Sequence, residues 1–210
     1  MADHENLIDT LSRSAGPVKR PLPTIVRATL FLCAGLPCGV LATSVLHHGW
    51  THWSQPGAIW PLVSLILSFA VGALGIATAF DLGIPGRKTP AWTVFALLIA
   101  AWLVAGVMSI AVSPDPVGRF GSGTYCYSFM TLAGAPMVLL AILALRRTRA
   151  LKPGKALAMA GVGVAFMASS LLMLCHSIDE QVIDFLMHIA AAATIVVATV
   201  VLGRRWVAVS

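Results

Sequence analysis

Apolar residues in this chain fall into six long runs, and most polar residues are confined to the gaps between them. The runs cover approximately Thr24–Leu46, Ala58–Phe80, Ala91–Val112, Thr124–Leu145, Ala156–Leu174 and Val182–Leu202. Each is long enough to cross a ~30 Å hydrocarbon core as a helix. Hydrocarbon offers no partner to a backbone amide, so each run must satisfy its own hydrogen bonds, and the helix is the form predicted. A different pattern precedes them. His4, Leu7, Ile8, Leu11 and Ala15 recur at the spacing of one helical face, with Asp3 as a cap and Gly16-Pro17 as a stop. A helix this short is marginal alone in water, so Leu7, Ile8 and Leu11 need a covering surface of lipid, of the chain itself or of a partner. The pattern therefore predicts an all-α integral membrane protein. A six-helix transmembrane bundle spans residues 24–203, behind an N-terminal segment 1–23 with a short amphipathic helix and ahead of a tail 204–210.

Two details within the runs bear on packing. Ser64, Ser68, Gly72 and Gly75 form a small-residue stripe on the second run, and Gly161, Ala165 and Ser169 repeat it on the fifth. Such stripes let transmembrane helices approach closely. Pro37 and Pro136 fall inside the first and fourth runs and are expected to bend them.

Composition agrees with the pattern: 58% of the 210 residues are hydrophobic and only 10% charged, against roughly 25% charged in a soluble domain. The opening Met-Ala-Asp-His-Glu lacks the basic region of a cleaved signal peptide. The net charge of +6 changes meaning once the basic residues are placed. All 14 except Arg119 lie in the N-terminal segment or, as Arg27, at the start of the first run, in the second and fourth gaps, or at the C-terminal end. The excess of Lys and Arg marks the cytoplasmic side, so both termini are expected there, with lipid rather than nucleic acid as the surrounding partner.

The candidate chemistry concentrates in Cys175 to His188, which holds Cys175, His176, Asp179, Glu180, Asp184 and His188 between two apolar runs. Polar groups beside a bilayer are costly to desolvate, which makes such a cluster a site hypothesis. On this topology Cys126 and Cys175 share the outer side. They can approach within the ~4.4–6.8 Å Cα separation a disulfide needs. They can instead join His176 or His188 as soft ligands, a set of Cys126, Cys175 and His176 suiting a transition-metal ion. They can equally be two small packed hydrophobes. Asp184 and His188 are four apart on one helical face, where the carboxylate can orient the imidazole. His47, His48 and His52 crowd the first outer gap among Trp50, Trp53 and Trp60, which read as an interfacial belt. Cys33 and Cys38 lie inside the first run on different faces and are expected to pack. No phosphate-binding loop, dinucleotide fingerprint, nucleophile elbow or His-Glu-x-x-His motif is present, and no run carries a charge near its centre.

Taken in order, these features resemble a known family, the NrsF-like membrane anti-sigma factors. The resemblance rests on Leu7-Ile8-x-x-Leu11 followed by Pro17-Val18, on six spans with the N-terminus inside, on Cys126 opening the fourth helix with Pro136 further along, and on Cys175-His176 before the last helix. It implies a non-enzymatic protein of the bacterial inner membrane that holds an extracytoplasmic-function sigma factor. Leu7, Ile8 and Leu11 would form the sigma-binding face. A redox, metal or other stress signal would act at the outer side through Cys126 and Cys175, beside His176, Asp184 and His188. Two readings from other classes stand beside it. One is a thiol or quinone oxidoreductase using Cys126 and Cys175. The other is a membrane cytochrome with haem held among His47, His48, His52 and His188.

Overall fold

Leu-, Ala- and Val-rich runs with no charge near their centres become helices long enough to cross a bilayer. The computed structural model describes residues 2–14, 21–46, 50–55, 57–84, 86–117, 123–148 and 152–207. Among them are seven helices and no strand: α1 (Ala2–Ser14), α2 (Thr24–Thr43), α3 (Ile59–Leu82), α4 (Trp92–Val112), α5 (Thr124–Arg146), α6 (Pro153–Met173) and α7 (Val182–Val207). All but α1 have the length and hydropathy of membrane spans. The expected bounds shift most at the ends. Helix α2 stops at Thr43 rather than near Leu46, and α6 begins early, with Pro153 in its first turn, where a missing N–H costs nothing. Helix α7 runs on through Arg204 and Arg205, past the 203/204 boundary, to a buried Val207. Pro37 and Pro136 sit inside α2 and α5, and both helices continue through them.

The bundle is organised around α6. Some 78% of its most apolar stretch is buried, against 28% for α4 and α7, so α6 has almost no lipid-facing side. Gly161 and Gly163 explain how it is held. Two residues apart on a helix is about 200°, so these glycines open opposite faces. A Cβ on Gly163 would lie 2.8 Å from the backbone nitrogen of Ile76 in α3. One on Gly161 would lie 2.8 Å from Cα of Val196 in α7. The α3 stripe does face α6: Gly72 and Gly75 meet Gly163, and the Ser68 and Ser169 hydroxyls stand 3.4 Å apart. The stripe expected on α6 divides, with Ser169 toward α3 and Gly161 toward α7. Phe129, Met130, Met137, Leu157, Val164 and Leu172 fill the core between α5, α6 and their neighbours.

Six antiparallel spans put α2's start and α7's end at the same end of the bundle. There Thr24 donates to Asp81, which also pairs with Arg87 at 2.7 Å, while Arg27 lies 4.4 Å over the Phe80 ring and Arg146 faces Trp206. Lys19, Arg20, Arg119 and Arg149 lie outside the described residues. Outward positions such as Ile25, Leu97, Val104 and Val201 present apolar side chains around the bundle's girth. Helix α1 stands apart from this packing: Leu7, Ile8 and Leu11 are 55%, 66% and 60% exposed. Ala15 and the Gly16-Pro17-Val18 stop lie outside the described residues.

The α3–α6 contact is backbone against backbone and cannot yield by a rotamer change. Gly163→Ala is therefore expected to destabilise the bundle by about 1–3 kcal/mol, as overpacking does. Gly154→Ala, where an added Cβ meets nothing within 4 Å, is expected to be neutral or to stabilise by up to ~1 kcal/mol through helix propensity. Paired thermal melts in detergent, followed by tryptophan fluorescence, check the opposite signs.

Candidate functional site

The loop joining α6 to α7 is short and polar, and the fold draws it inward at the end opposite the Asp81–Arg87 pair. Three connections meet there. The Thr51 amide donates to Leu174 O at 3.0 Å. Its hydroxyl stands 2.8 Å from Met173 O and 2.7 Å from His176 O, giving its one proton to either. From the other side, the Val182 amide donates to Pro116 O at 2.9 Å. The α2–α3 and α4–α5 connections thus fasten the α6–α7 turn over the start of α5.

Beneath this cap lie five buried polar side chains: Cys126, His176, Glu180, Asp184 and His188, each 9% exposed or less. Cys126 comes from the first turn of α5, His176 and Glu180 from the loop, and Asp184 and His188 from the first two turns of α7. His176 Nδ1 is 2.7 Å from the Ser177 carbonyl, which can only accept, so Nδ1 carries the proton. Nε2 is then the lone-pair nitrogen, and it faces Cys126 Sγ at 3.2 Å. The thiol's other acceptor, Asp184 Oδ1, is farther away at 3.9 Å. The His176 and His188 rings meet edge to face, centroids 5.5 Å apart.

His188 is the anomaly. It is 1% exposed, and neither ring nitrogen has a hydrogen-bond partner. Glu180 Oε1 stands 3.5 Å from Nδ1, within ion-pair range but without hydrogen-bond geometry. Buried polar atoms are paired in the great majority of cases, so an orphan imidazole requires an explanation. One atom each from Cys126, His176 and His188 fall within 4.8 Å of one another, the geometry of a metal-ligand set.

The environment outside the spans is electrostatically unusual. Burial holds His176 below the ordinary histidine range, and neighbouring His188 adds to this. The Ser177 bond, Glu180 and Asp184 oppose it. Burial also pushes the Cys175 thiol up. A neutral His176 beside a thiol can accept its hydrogen bond or share a ligand with it.

The sequence-predicted residues divide. Cys126, His176 and His188 come together, with Asp184 beside Cys126. Cys175 is half-buried against the core, its amide bonded to Leu172 O, and its sulfur is not in the three-atom cluster. Cys126 and Cys175 are both free thiols. Asp184 and His188 share a helix face, but their closest polar neighbours are Cys126 and Glu180 respectively. Thr51 is the residue that reading by spacing missed: it acts across 122 and 125 residues of sequence, and no periodicity points to it. Glu180 stands in the polar stretch from Cys175 to His188, but its contact with His188 is not read from spacing. His47 and His48 lie outside the described residues, and His52 is exposed on the surface loop with Trp53. Cys33 is exposed on α2 and Cys38 half-buried.

The family model described as "Negative regulator of sigma F" matches residues 11–208. The chain belongs to this family. Neither a curated protein nor a solved structure matches it. As a member of the negative regulators of sigma F, the chain restrains a sigma factor, and a sigma factor is its partner. The match takes in all six apolar helices and the polar cluster, and it begins at Leu11, inside α1.

Thr51 can be tested as the fastening of the cap. Thr51→Val removes one hydroxyl donor at nearly constant volume, a bond worth about 1 kcal/mol. Local opening should then rise roughly fivefold. The rate at which a maleimide alkylates Cys126 in otherwise native protein is expected to rise by that factor, with Cys33 as the internal control.

Proposed function

We propose that this chain is a bacterial inner-membrane anti-sigma factor whose α1 holds an extracytoplasmic-function sigma factor at the cytoplasmic face. A signal at the opposite face, acting on Cys126 and Cys175 with His176, Asp184 and His188 around them, releases it. The observation that carries this reading is α1 itself. In a family that restrains sigma factors, this helix leaves Leu7, Ile8 and Leu11 uncovered while the six spans are packed. The concentration of Lys and Arg at the α1 end supports a cytoplasmic assignment for that end. The polar cluster then faces the periplasm, where thiol chemistry is permitted.

Transmission follows from where the cluster sits. Cys126 begins α5, and Asp184 and His188 begin α7, so a change in their mutual distance is a change in how α5 and α7 pack on α6. Release needs two packings of unequal affinity for the sigma factor. A swing from mostly bound to mostly free corresponds to about 5.5 kcal/mol of differential binding. A covalent or metal–thiolate bond at the cluster is of sufficient strength.

The test is co-purification in mild detergent from the native host. Each apolar side chain buried at an interface contributes about 1.5–3 kcal/mol. Combined Leu7→Asp, Ile8→Asp and Leu11→Asp changes are therefore expected to lower sigma-factor recovery more than a hundredfold while membrane insertion persists. In the same host, Cys126→Ser with Cys175→Ser should leave the sigma factor bound but abolish its release by oxidant or metal. Full recovery with the triple variant rejects α1 as the binding face. Normal release from the double serine variant rejects the thiols as the sensor.

A further inference from the structure

We propose that Cys126, His176 and His188 form a buried binding site for one divalent metal ion of the zinc class, with Glu180 as the adjoining carboxylate. The site's regulatory meaning rests on the anti-sigma reading above, but its occupancy does not.

Three observations converge. The first is spacing. Tetrahedral zinc, with bonds of ~2.0–2.3 Å, sets its ligand atoms about 3.3–3.6 Å apart. Cys126 Sγ and His176 Nε2 already stand at 3.2 Å, and one His188 nitrogen completes a trio within 4.8 Å. Small side-chain shifts close it. The second is orientation. His176 donates Nδ1–H to the Ser177 carbonyl, the outer contact that fixes a ligating histidine's tautomer and turns its lone pair toward the metal. The third is His188, 1% exposed with both nitrogens unpartnered. A metal on one of them supplies a partner that the protein alone does not.

Charge and donor chemistry select the ion. Sulfur and imidazole nitrogen suit zinc and its neighbours, whereas magnesium and calcium take oxygen ligands. On binding, the Cys126 S–H proton passes to water as the sulfur–metal bond forms, with no change of oxidation state. The Cys126 thiolate and the Glu180 carboxylate match the charge of a 2+ ion, and Asp184 places a second carboxylate 3.9 Å from the sulfur. Among the described residues no lysine or arginine forms an ion pair with Glu180 or Asp184, and a cation meets no competitor there. Three protein ligands leave a fourth position for water or an incoming donor. Cys175 is outside the set.

The experiment uses full-length protein in detergent, stripped with chelator and titrated with Co2+ as the spectroscopic stand-in for zinc. The result expected is one equivalent of cobalt giving the visible bands of four-coordinate Co2+ and a thiolate-to-cobalt charge-transfer band, both displaced by Zn2+. Cys126→Ser should lose the charge-transfer band, and Cys175→Ser should keep it. Glu180→Gln should bind about 10–100-fold more weakly, as loss of an outer contact does. Because a ligand variant can misfold, a second measurement uses unaltered protein: Zn2+ should slow maleimide alkylation of Cys126 at least tenfold and leave Cys33 unchanged. Absence of the bands in the wild type, their persistence in Cys126→Ser, or alkylation indifferent to zinc would each overturn the site. Leu11→Asp, carried in parallel, should bind cobalt normally and recover less sigma factor. A normal cobalt spectrum with unchanged sigma recovery would reject the α1 reading while leaving the metal site standing.

Discussion

Everything in this bundle depends on how closely α6 can be approached. Two glycines on opposite faces admit the backbones of α3 and α7 to within van der Waals contact, and a helix clasped on both sides has little left to show to lipid. In hydrocarbon there is no water to expel from between apolar helices, so association relies on packing at short range, where small residues matter most. Helices α3, α6 and α7 are therefore one slab. Helices α2 and α5 lean on it, and α4 is joined at its side through Trp102 against Phe166 and Phe185.

That slab also determines where polarity can be stored. Cys126, Asp184 and His188 come from two helices that pack on α6 and on each other, and the α6–α7 turn has only a few residues in which to return. The turn therefore crosses the top of its own helices and carries His176 and Glu180 inward. A longer turn would let both groups reach water. The burial of five polar side chains is a product of a tight connection over a tight helix pair, fastened by hydrogen bonds from Thr51 to the turn and from the Val182 amide to Pro116 O.

The spans were legible because a bilayer selects on composition, which is written locally. Their ends were less so. Helix α7 passes its apolar limit because long arginine side chains can reach outward to the headgroups while their backbone stays helical. The cluster was legible in kind, since cysteines, histidines and acids beside apolar runs are conspicuous. Its pairings were not. Asp184 and His188 are correctly spaced for each other, yet their nearest polar neighbours are Cys126 and Glu180. Gly163, which admits α3, is off the four-residue stripe that drew notice to Gly161, because α6 has two packed faces and a single periodicity describes one.

The fastened cap has a consequence in time. A buried cluster beneath hydrogen-bonded loops meets a solute only during the intervals when those loops part. The speed of any reaction there then follows the fraction of time the cap is open. Brief pulses of a reagent pass unregistered, and sustained ones accumulate. Thr51, remote in sequence from every group it covers, sets the averaging period of this end of the bundle.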